Sequence, residues 1–317
     1  MPIREEQVYP HLRRVAGAIC AVRLPGRAWE YALRRSQPGI CFRMGVMDVT
    51  MKAQKLETIR VEKPWGVDRL PPPFDARTGG RVGEIWFRPP KSNPLLVKYI
   101  FTSERLSIQV HPDDRQAQAR GLPAGKEECW YILDAEPDAV LGIGTLRALG
   151  ERELADTARS GAIEALMEWH PVRANMFFHV PPGTVHAIGA GVTLVEIQQN
   201  VDVTYRLYDY GRPRELHLAD GTAVAKAAPM SRDLCRQVDI AESALLLDSR
   251  HLVVAHLNAN DLSPLADARD GAMIVPLGGT VATDGVTAQA GECLWAEDVT
   301  TIEAGAGARF LAGWHKP

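Results

Sequence analysis

Leu106-Ser107-Ile108-Gln109-Val110-His111-Pro112 alternates without a break between apolar and polar side chains. Successive side chains of a strand point to opposite faces. Leu106, Ile108 and Val110 therefore share one face, and Ser107, Gln109 and His111 share the other. On an open sheet the polar face would meet water. In a closed barrel it would turn inward, and Gln109 two residues before His111 would then offer two metal-ligating side chains on one strand.

The surrounding sequence favours the barrel. Short β-rich runs at 82–87, 95–101, 129–133, 176–180, 192–198 and 203–208 alternate with turn signals such as Leu70-Pro71-Pro72-Pro73 and Thr78-Gly79-Gly80. Helical patterns cover 113–120 and 146–169. In the second, Leu149, Leu154, Ala158, Ile163, Leu166 and Met167 keep a partial 3.6-residue period that breaks near Gly161. No repeated strand–helix unit appears, which disfavours a doubly wound parallel sheet. The expectation is a mainly β chain whose catalytic domain, 51–231, is a jelly-roll β-barrel with a helical insertion at about 146–170. Residues 232–317 read as a second, metal-free β domain, with strands expected at 272–277, 280–282, 292–296 and 309–312. Its histidines, His251, His256 and His315, lack metal-ligand spacing and suggest no chemistry of its own.

Residues 1–50 differ, with eight Arg, no Lys and no clear period. They read as a poorly ordered extension, with Met51 an alternative start. Arg13-Arg14 and the apolar stretch behind them imitate a signal peptide, but no small-residue cleavage site follows.

The 317 residues carry 36 Lys plus Arg against 39 Asp plus Glu, a net charge of −3. That balance gives no reason to expect sequence-independent binding to nucleic acid or to an anionic membrane. No apolar run approaches the ~20 residues that span a bilayer. The five cysteines, Cys20, Cys41, Cys129, Cys235 and Cys293, are scattered and odd in number. A disulfide framework and a thiolate zinc site are both disfavoured, and a reducing cytoplasm fits.

Four segments carry clustered polar groups. The first is 106–112. In Lys126-Glu127-Glu128-Cys129-Trp130, Lys126, Glu128 and Trp130 share a face, while Cys129 points the other way as a small buried hydrophobe. In Val180-Pro181-Pro182-Gly183-Thr184-Val185-His186 a tight turn delivers an imidazole to a strand. In 198–208, Asp202, Thr204 and Arg206 line one face. Gln109, His111, Glu128 and His186 together supply two imidazoles, a carboxylate and an amide oxygen, a set that suits Zn²⁺ in a site open to water or substrate. Lys126 and Arg206 would make such a pocket cationic and suit an anionic small molecule, a phosphate above all.

In this order, Gln-x-His-Pro (109–112), Lys-x-Glu (126–128), Pro-x-Gly-x-x-His (181–186) and Asp-x-Thr-Tyr-Arg (202–206) resemble the type I mannose-6-phosphate isomerases of the short bacterial class. So do Glu62–Gly66, Gly83–Trp86 and the stretch 196–212. These are cupin-fold zinc enzymes. The resemblance implies one Zn²⁺ per chain on Gln109, His111, Glu128 and His186, with Arg206 as the active-site arginine and Lys126 and Ser107 around the sugar phosphate. It also implies interconversion of mannose 6-phosphate and fructose 6-phosphate through an enediol(ate). The base is open among a metal-bound water, the neighbourhood of Glu128, Asp202 and Lys126, with Lys126 or Asp202 favoured. Departures are few. Glu127 stands where the family often has Thr or Pro, Ala174-Asn175 where it has a Gly-Asp turn, and Val201 where it often has Ser. His179 is expected to support the core or the site, His170 to cap or lie on the surface, and His217 has no assigned role. The competing readings are a metal cupin of another reaction class and a non-catalytic sugar-phosphate sensor.

Overall fold

A computed structural model describes residues 52–90 and 93–316. The expectations for 1–50, for Cys20 and Cys41 and for a start at Met51 lie outside the described residues. The described residues build four sheets, stacked in layers by the apolar faces that each must bury.

The deepest layer is a seven-stranded antiparallel sheet. Its order is Cys235–Gln237, Met176–Val180, Glu128–Ala135, Val192–Gln199, Leu95–Phe101, Ala76–Phe87 and Thr58–Leu70. All seven residues of Leu95–Phe101 are buried, because both faces of this sheet are covered. One face packs Ile100, Trp130, Ile132, Phe178 and Leu194 against Leu141, Ile143 and Ile188 of a five-stranded sheet. That second sheet runs Tyr205–Tyr208, Ile108–Val110, His186–Ile188, Val140–Thr145 and Met167–Pro171. The two sheets are the walls of the expected jelly roll. The outer face of the five-stranded sheet, with Ile108, Val110 and Ala187, is covered by Leu154, Ala158 and Ile163 of the helical insertion and by Val224. Ile108 and Val110 thus face the helices, which leaves Gln109 facing the barrel interior.

The helical insertion is shorter than its sequence period suggests. Helices span Glu151–Ser160 and Ile163–Leu166, separated by Gly161 in the left-handed region at φ 82°. Met167–Pro171 is a strand rather than a helix end, paired with Val140–Thr145 at the sheet edge. His170 accordingly sits on a strand, half-buried, with Nε2 donating to the Ile143 carbonyl at 3.2 Å. Helix Asp114–Gln118 begins with a capping box between Asp113 and Gln116.

The other face of the seven-stranded sheet, with Val97, Tyr99, Cys129, Tyr131, Val195 and Ile197, meets a six-stranded sheet through Val254, Met273, Val275 and Leu311. Cys129 is buried on the face opposite Glu128, as the alternation requires. The six-stranded sheet includes Ala53–Lys55, contributed from far upstream and paired with Leu294–Ala296. A three-stranded sheet closes this C-terminal unit around a second core. Among the described residues no helix is long and apolar enough to cross a membrane.

Leu311 is 1% exposed in the core between the six- and seven-stranded sheets. Leu311→Ala should cost ~2–5 kcal/mol, the range for a large-to-small change in a core. Urea unfolding should show one transition at a lower midpoint and unchanged slope. Two separated transitions would mean that the sheets on either side of this core unfold independently.

Candidate metal centre and its charged surround

The inner face of the five-stranded sheet places three side chains in a row. His186 and Gln109 are direct cross-strand partners, and Gln109 is also opposite Arg206. Residues paired in this way project to the same side. From the facing wall, strand Glu128–Ala135 points Glu128 into the barrel. His111 follows Gln109 two residues on. The ligand atoms of His111, Glu128 and His186 all lie within 4.8 Å of one another, and all three residues are buried.

The hydrogen bonds fix how these groups present themselves. His111 Nδ1 donates to the Val203 carbonyl at 2.7 Å, and His186 Nδ1 donates to the Thr184 carbonyl at 2.8 Å. Each Nε2 is therefore left with a lone pair, and both face the carboxylate. His111 Nε2 is 3.5 Å from Glu128 Oε2, and His186 Nε2 is 3.4 Å from Glu128 Oε1. Neither Glu128 oxygen has a well-formed hydrogen bond, although Oε2 forms a 2.8 Å ion pair with Lys126 Nζ. Burial depresses both histidines, His111 far below its ordinary value and His186 to about 4, so both are neutral at pH 7, as ligands must be. Two imidazole lone pairs and a carboxylate converge on one point, with the Lys126 ammonium beside them at 2.8 Å from Glu128 and 3.4 Å from His111 Nε2. That donor set fits a divalent metal such as zinc.

Gln109 completes the cluster. Its Nε2 lies 3.2 Å from His186 Nε2, while Ser107 Oγ donates to its Oε1 at 3.2 Å. Turning the amide over would bring Oε1 to the cluster and offer Nε2 to Ser107, so the same site can supply an oxygen ligand.

Around this centre lies a ladder of buried charge that the sequence reading missed. Lys98 pairs with Glu196 at 3.2 Å, and Lys126 lies 3.8 Å from Glu196 and 3.4 Å from His111 Nε2. Trp130 Nε1 donates to Glu196 Oε2 at 3.0 Å. Burial raises the Glu128 carboxyl, to about 7, with the Glu196 charge adding to the rise. Burial opposes ionisation of Glu196 too, but Lys126 and Lys98 hold it down at about 2. Burial alone would neutralise Lys126, yet Glu128 and Glu196 keep it charged and push its pKa above the ordinary lysine value.

Ser107, Gln109, His111, Lys126, Glu128 and His186 are thus brought together. Arg206 stands beside them by register and is half-buried. Its backbone N–H donates to His217 Nδ1 at 3.2 Å and its Nε donates to the Glu215 carbonyl at 3.0 Å. Asp202 is exposed, within electrostatic reach of Lys126. Glu127 faces away from the cluster and pairs with His179 at 2.8 Å. Asn175, at φ 64°, makes the turn before the Met176–Val180 strand and accepts a hydrogen bond from Tyr131 at 2.9 Å.

No protein-family model matches the chain. The solved mannose 6-phosphate isomerase of Bacillus subtilis superposes with a TM-score of 0.65 at 23% identity, covering 82% of this chain and 98% of that one. Its fold is that of the mannose-6-phosphate isomerases. A zinc-bound mannose 6-phosphate isomerase superposes with a TM-score of 0.61 at 12% identity, covering 84% of this chain and all of that one. In sequence, 132 residues are 45% identical to the mannose-6-phosphate isomerase ManA of Bacillus subtilis (strain 168), covering 39% of this chain and 42% of that relative. A further 42% identity over 155 residues relates it to the probable mannose-6-phosphate isomerase GmuF of the same strain, covering 44% of this chain and 49% of GmuF. The chain thus spans less than half the length of the curated relatives it matches.

Proposed function

We propose that this chain is a zinc-dependent aldose–ketose isomerase interconverting mannose 6-phosphate and fructose 6-phosphate in the cytoplasm. The observation that carries the proposal is the convergence of His111, Glu128 and His186 inside a barrel of this fold, with Lys126 and Arg206 beside them. The names of the relatives support the same reading. The unpaired thiols of Cys129, Cys235 and Cys293 suit a reducing compartment.

The reaction moves one proton from C2 of the aldose to C1 of the ketose, while the hydroxyl proton passes from O2 to O1. An enediol(ate) lies between, and its cost is negative charge on oxygen at neutral pH. Gln109, His111, Glu128 and His186 would hold the zinc, which when bound acts as a Lewis acid toward sugar oxygens. Arg206 offers a rigid fork of donors to the same developing charge. Lys126 and Ser107 anchor the phosphate or the sugar end nearest the cluster, so that binding energy orients C1 and C2. Asp202 is the group proposed to take the C2 proton, because Glu128 and Glu196 hold Lys126 as an ammonium, which has no lone pair to accept one. The buried walls, Trp130 among them, keep bulk water from the reacting carbons.

A coupled assay with mannose 6-phosphate and with fructose 6-phosphate tests the proposal. Turnover is expected in both directions, lost on chelation and restored by zinc. A zinc-loaded, folded protein that binds the sugar phosphates without interconverting them would replace the enzyme with a sensor.

A further inference from the structure

Residues 125–127 deliver Lys126 to the site, yet they precede the strand that begins at Glu128 and have no ladder partners of their own. Their three N–H groups are bound all the same. Gly125 N–H donates to Asp114 Oδ1 at 2.8 Å, Lys126 N–H to the Pro112 carbonyl at 3.0 Å, and Glu127 N–H to Gln199 Oε1 at 2.9 Å. Gln199 N–H returns a bond to the Glu127 carbonyl at 3.0 Å, and Gln199 Nε2 donates to the same Asp114 Oδ1 at 3.1 Å. One carboxylate oxygen therefore joins the segment leaving His111, the segment carrying Lys126, and the end of strand Val192–Gln199, beyond which lie Asp202 and Arg206.

The close approach is built into the sequence. A Cβ on residue 125 would lie 2.5 Å from the Asp113 carbonyl carbon and 2.6 Å from the Asp114 nitrogen, so only glycine lets the two segments meet. The other oxygen of Asp114 reaches the C-terminal unit. Its Oδ2 is 3.3 Å from His251 Nε2. His251 is itself held: its carbonyl accepts from His315 Nδ1 at 2.8 Å, and the two rings stack at 6.4 Å and 12°.

We infer that Asp114 is a positioning residue for Lys126, and that through His251 the C-terminal unit braces it. The Lys126 ammonium must reach Glu128 at 2.8 Å from a backbone that no sheet ladder fixes. A misplacement of ~1 Å at a reacting group can cost ~10²-fold. Asp114 and Gln199 supply side-chain acceptors to Gly125 and Glu127 on either side of Lys126, whose own N–H is taken by the Pro112 carbonyl. The C-terminal unit, expected to carry no chemistry, thus contributes a residue that acts on the site at one remove.

The kinetic part of the test rests on the proposed isomerase reading, and a second readout does not. In the full chain, Asp114→Ala should speed amide hydrogen exchange at 125–127. It should also lower kcat by about 10–100-fold, the scale for losing an outer partner of a site residue. KM should change much less, and zinc content should stay at the wild-type value. Asp114→Asn should restore most of both, because its Oδ1 still accepts from Gly125 and Gln199. His251→Ala should move both readouts in the same direction by a smaller factor. If Asp114→Ala does not fold, Gln199→Ala should give the same exchange signature. The inference is overturned if Asp114→Ala leaves exchange and kcat unchanged, if Asp114→Asn is as damaged as Asp114→Ala, or if the loss tracks zinc. An unchanged His251→Ala removes the C-terminal brace. A wild-type chain without isomerase turnover would end the proposed function, while the exchange data would still decide the positioning.

Discussion

Glu128→Ala and His186→Ala are expected to lose zinc and turnover together. Each removes one of the three groups whose ligand atoms lie within 4.8 Å of one another. Lewis-acid stabilisation is worth several kcal/mol of the barrier, so kcat should fall by about 10³-fold or more. A readout independent of activity comes from linkage. Metal that binds only the folded state raises its stability, so zinc should raise the Tm of the wild type and leave that of both variants nearly unchanged. The two variants should differ in one respect. Removing Glu128 takes away an anion that faces Lys126 at 2.8 Å, leaving that buried ammonium to Glu196 at 3.8 Å and to the more distant, exposed Asp202. Removing His186 takes away a neutral ring. Glu128→Ala should therefore be the less stable of the two without metal, because an uncompensated buried charge is costly. Wild-type turnover in rigorously metal-free protein would refute the metal centre.

The parts of this fold that could be read in the sequence are those where local pattern and burial agree. Leu95–Phe101 and Met176–Val180 match their expected bounds end to end, because each is a largely apolar run, interrupted only by Lys98 in the first and His179 in the second, as a strand inside a layered sheet requires. Strand Ile108–Val110 is shorter than the alternation at 106–111 suggests, yet its facing is as expected. Thr58–Leu70 escaped notice because it is an edge strand whose exposed positions carry Thr58, Arg60, Glu62 and Arg69, a composition that reads as loop. Met167–Pro171 was hidden by the helical period just before it. The proposed ligand set was legible because each residue sits in a motif of its own. Lys98 and Glu196 were not, since each is a single charge in an apolar run. What makes them a pair is the register that sets Glu196 opposite Lys98. The same holds for Asp114 and His251, which meet only through tertiary structure.

The site therefore divides into two kinds of residue. Those proposed to hold the metal are announced by local spacing, since such residues must share a strand face or follow a tight turn. Those that set charge and position arise from long-range pairing. Lys98, Glu196 and Lys126 form a compensated set in which two ammoniums face Glu196 and Glu128, so a divalent cation at the histidines would leave the barrel interior net positive. On the proposed function, a net positive interior suits a substrate that brings a phosphate dianion, more than it suits a neutral sugar.

Arg206→Ala should lower kcat by about 10²–10³, the scale for losing one donor to a developing oxyanion. The structure places Arg206 opposite Gln109 on the wall that carries His186. Its backbone is held on both sides, the N–H by His217 Nδ1 at 3.2 Å and the carbonyl by the His217 N–H at 2.8 Å, and its Nε is held by the Glu215 carbonyl at 3.0 Å. One guanidinium N–H is thus already engaged, which limits the rotamer freedom the side chain has left to lose in the transition state. Arg206→Lys should not recover the rate, because a lysine is a mobile point charge and cannot reproduce the fork. Zinc content should match the wild type in both variants, since arginine is not a ligand. The alternative is separable by the same kinetics. An arginine that only grips phosphate, equally in ground and transition state, would raise KM and leave kcat alone. A near-normal kcat and KM in Arg206→Ala, or a loss of rate that merely follows a loss of zinc, would remove Arg206 from the chemistry.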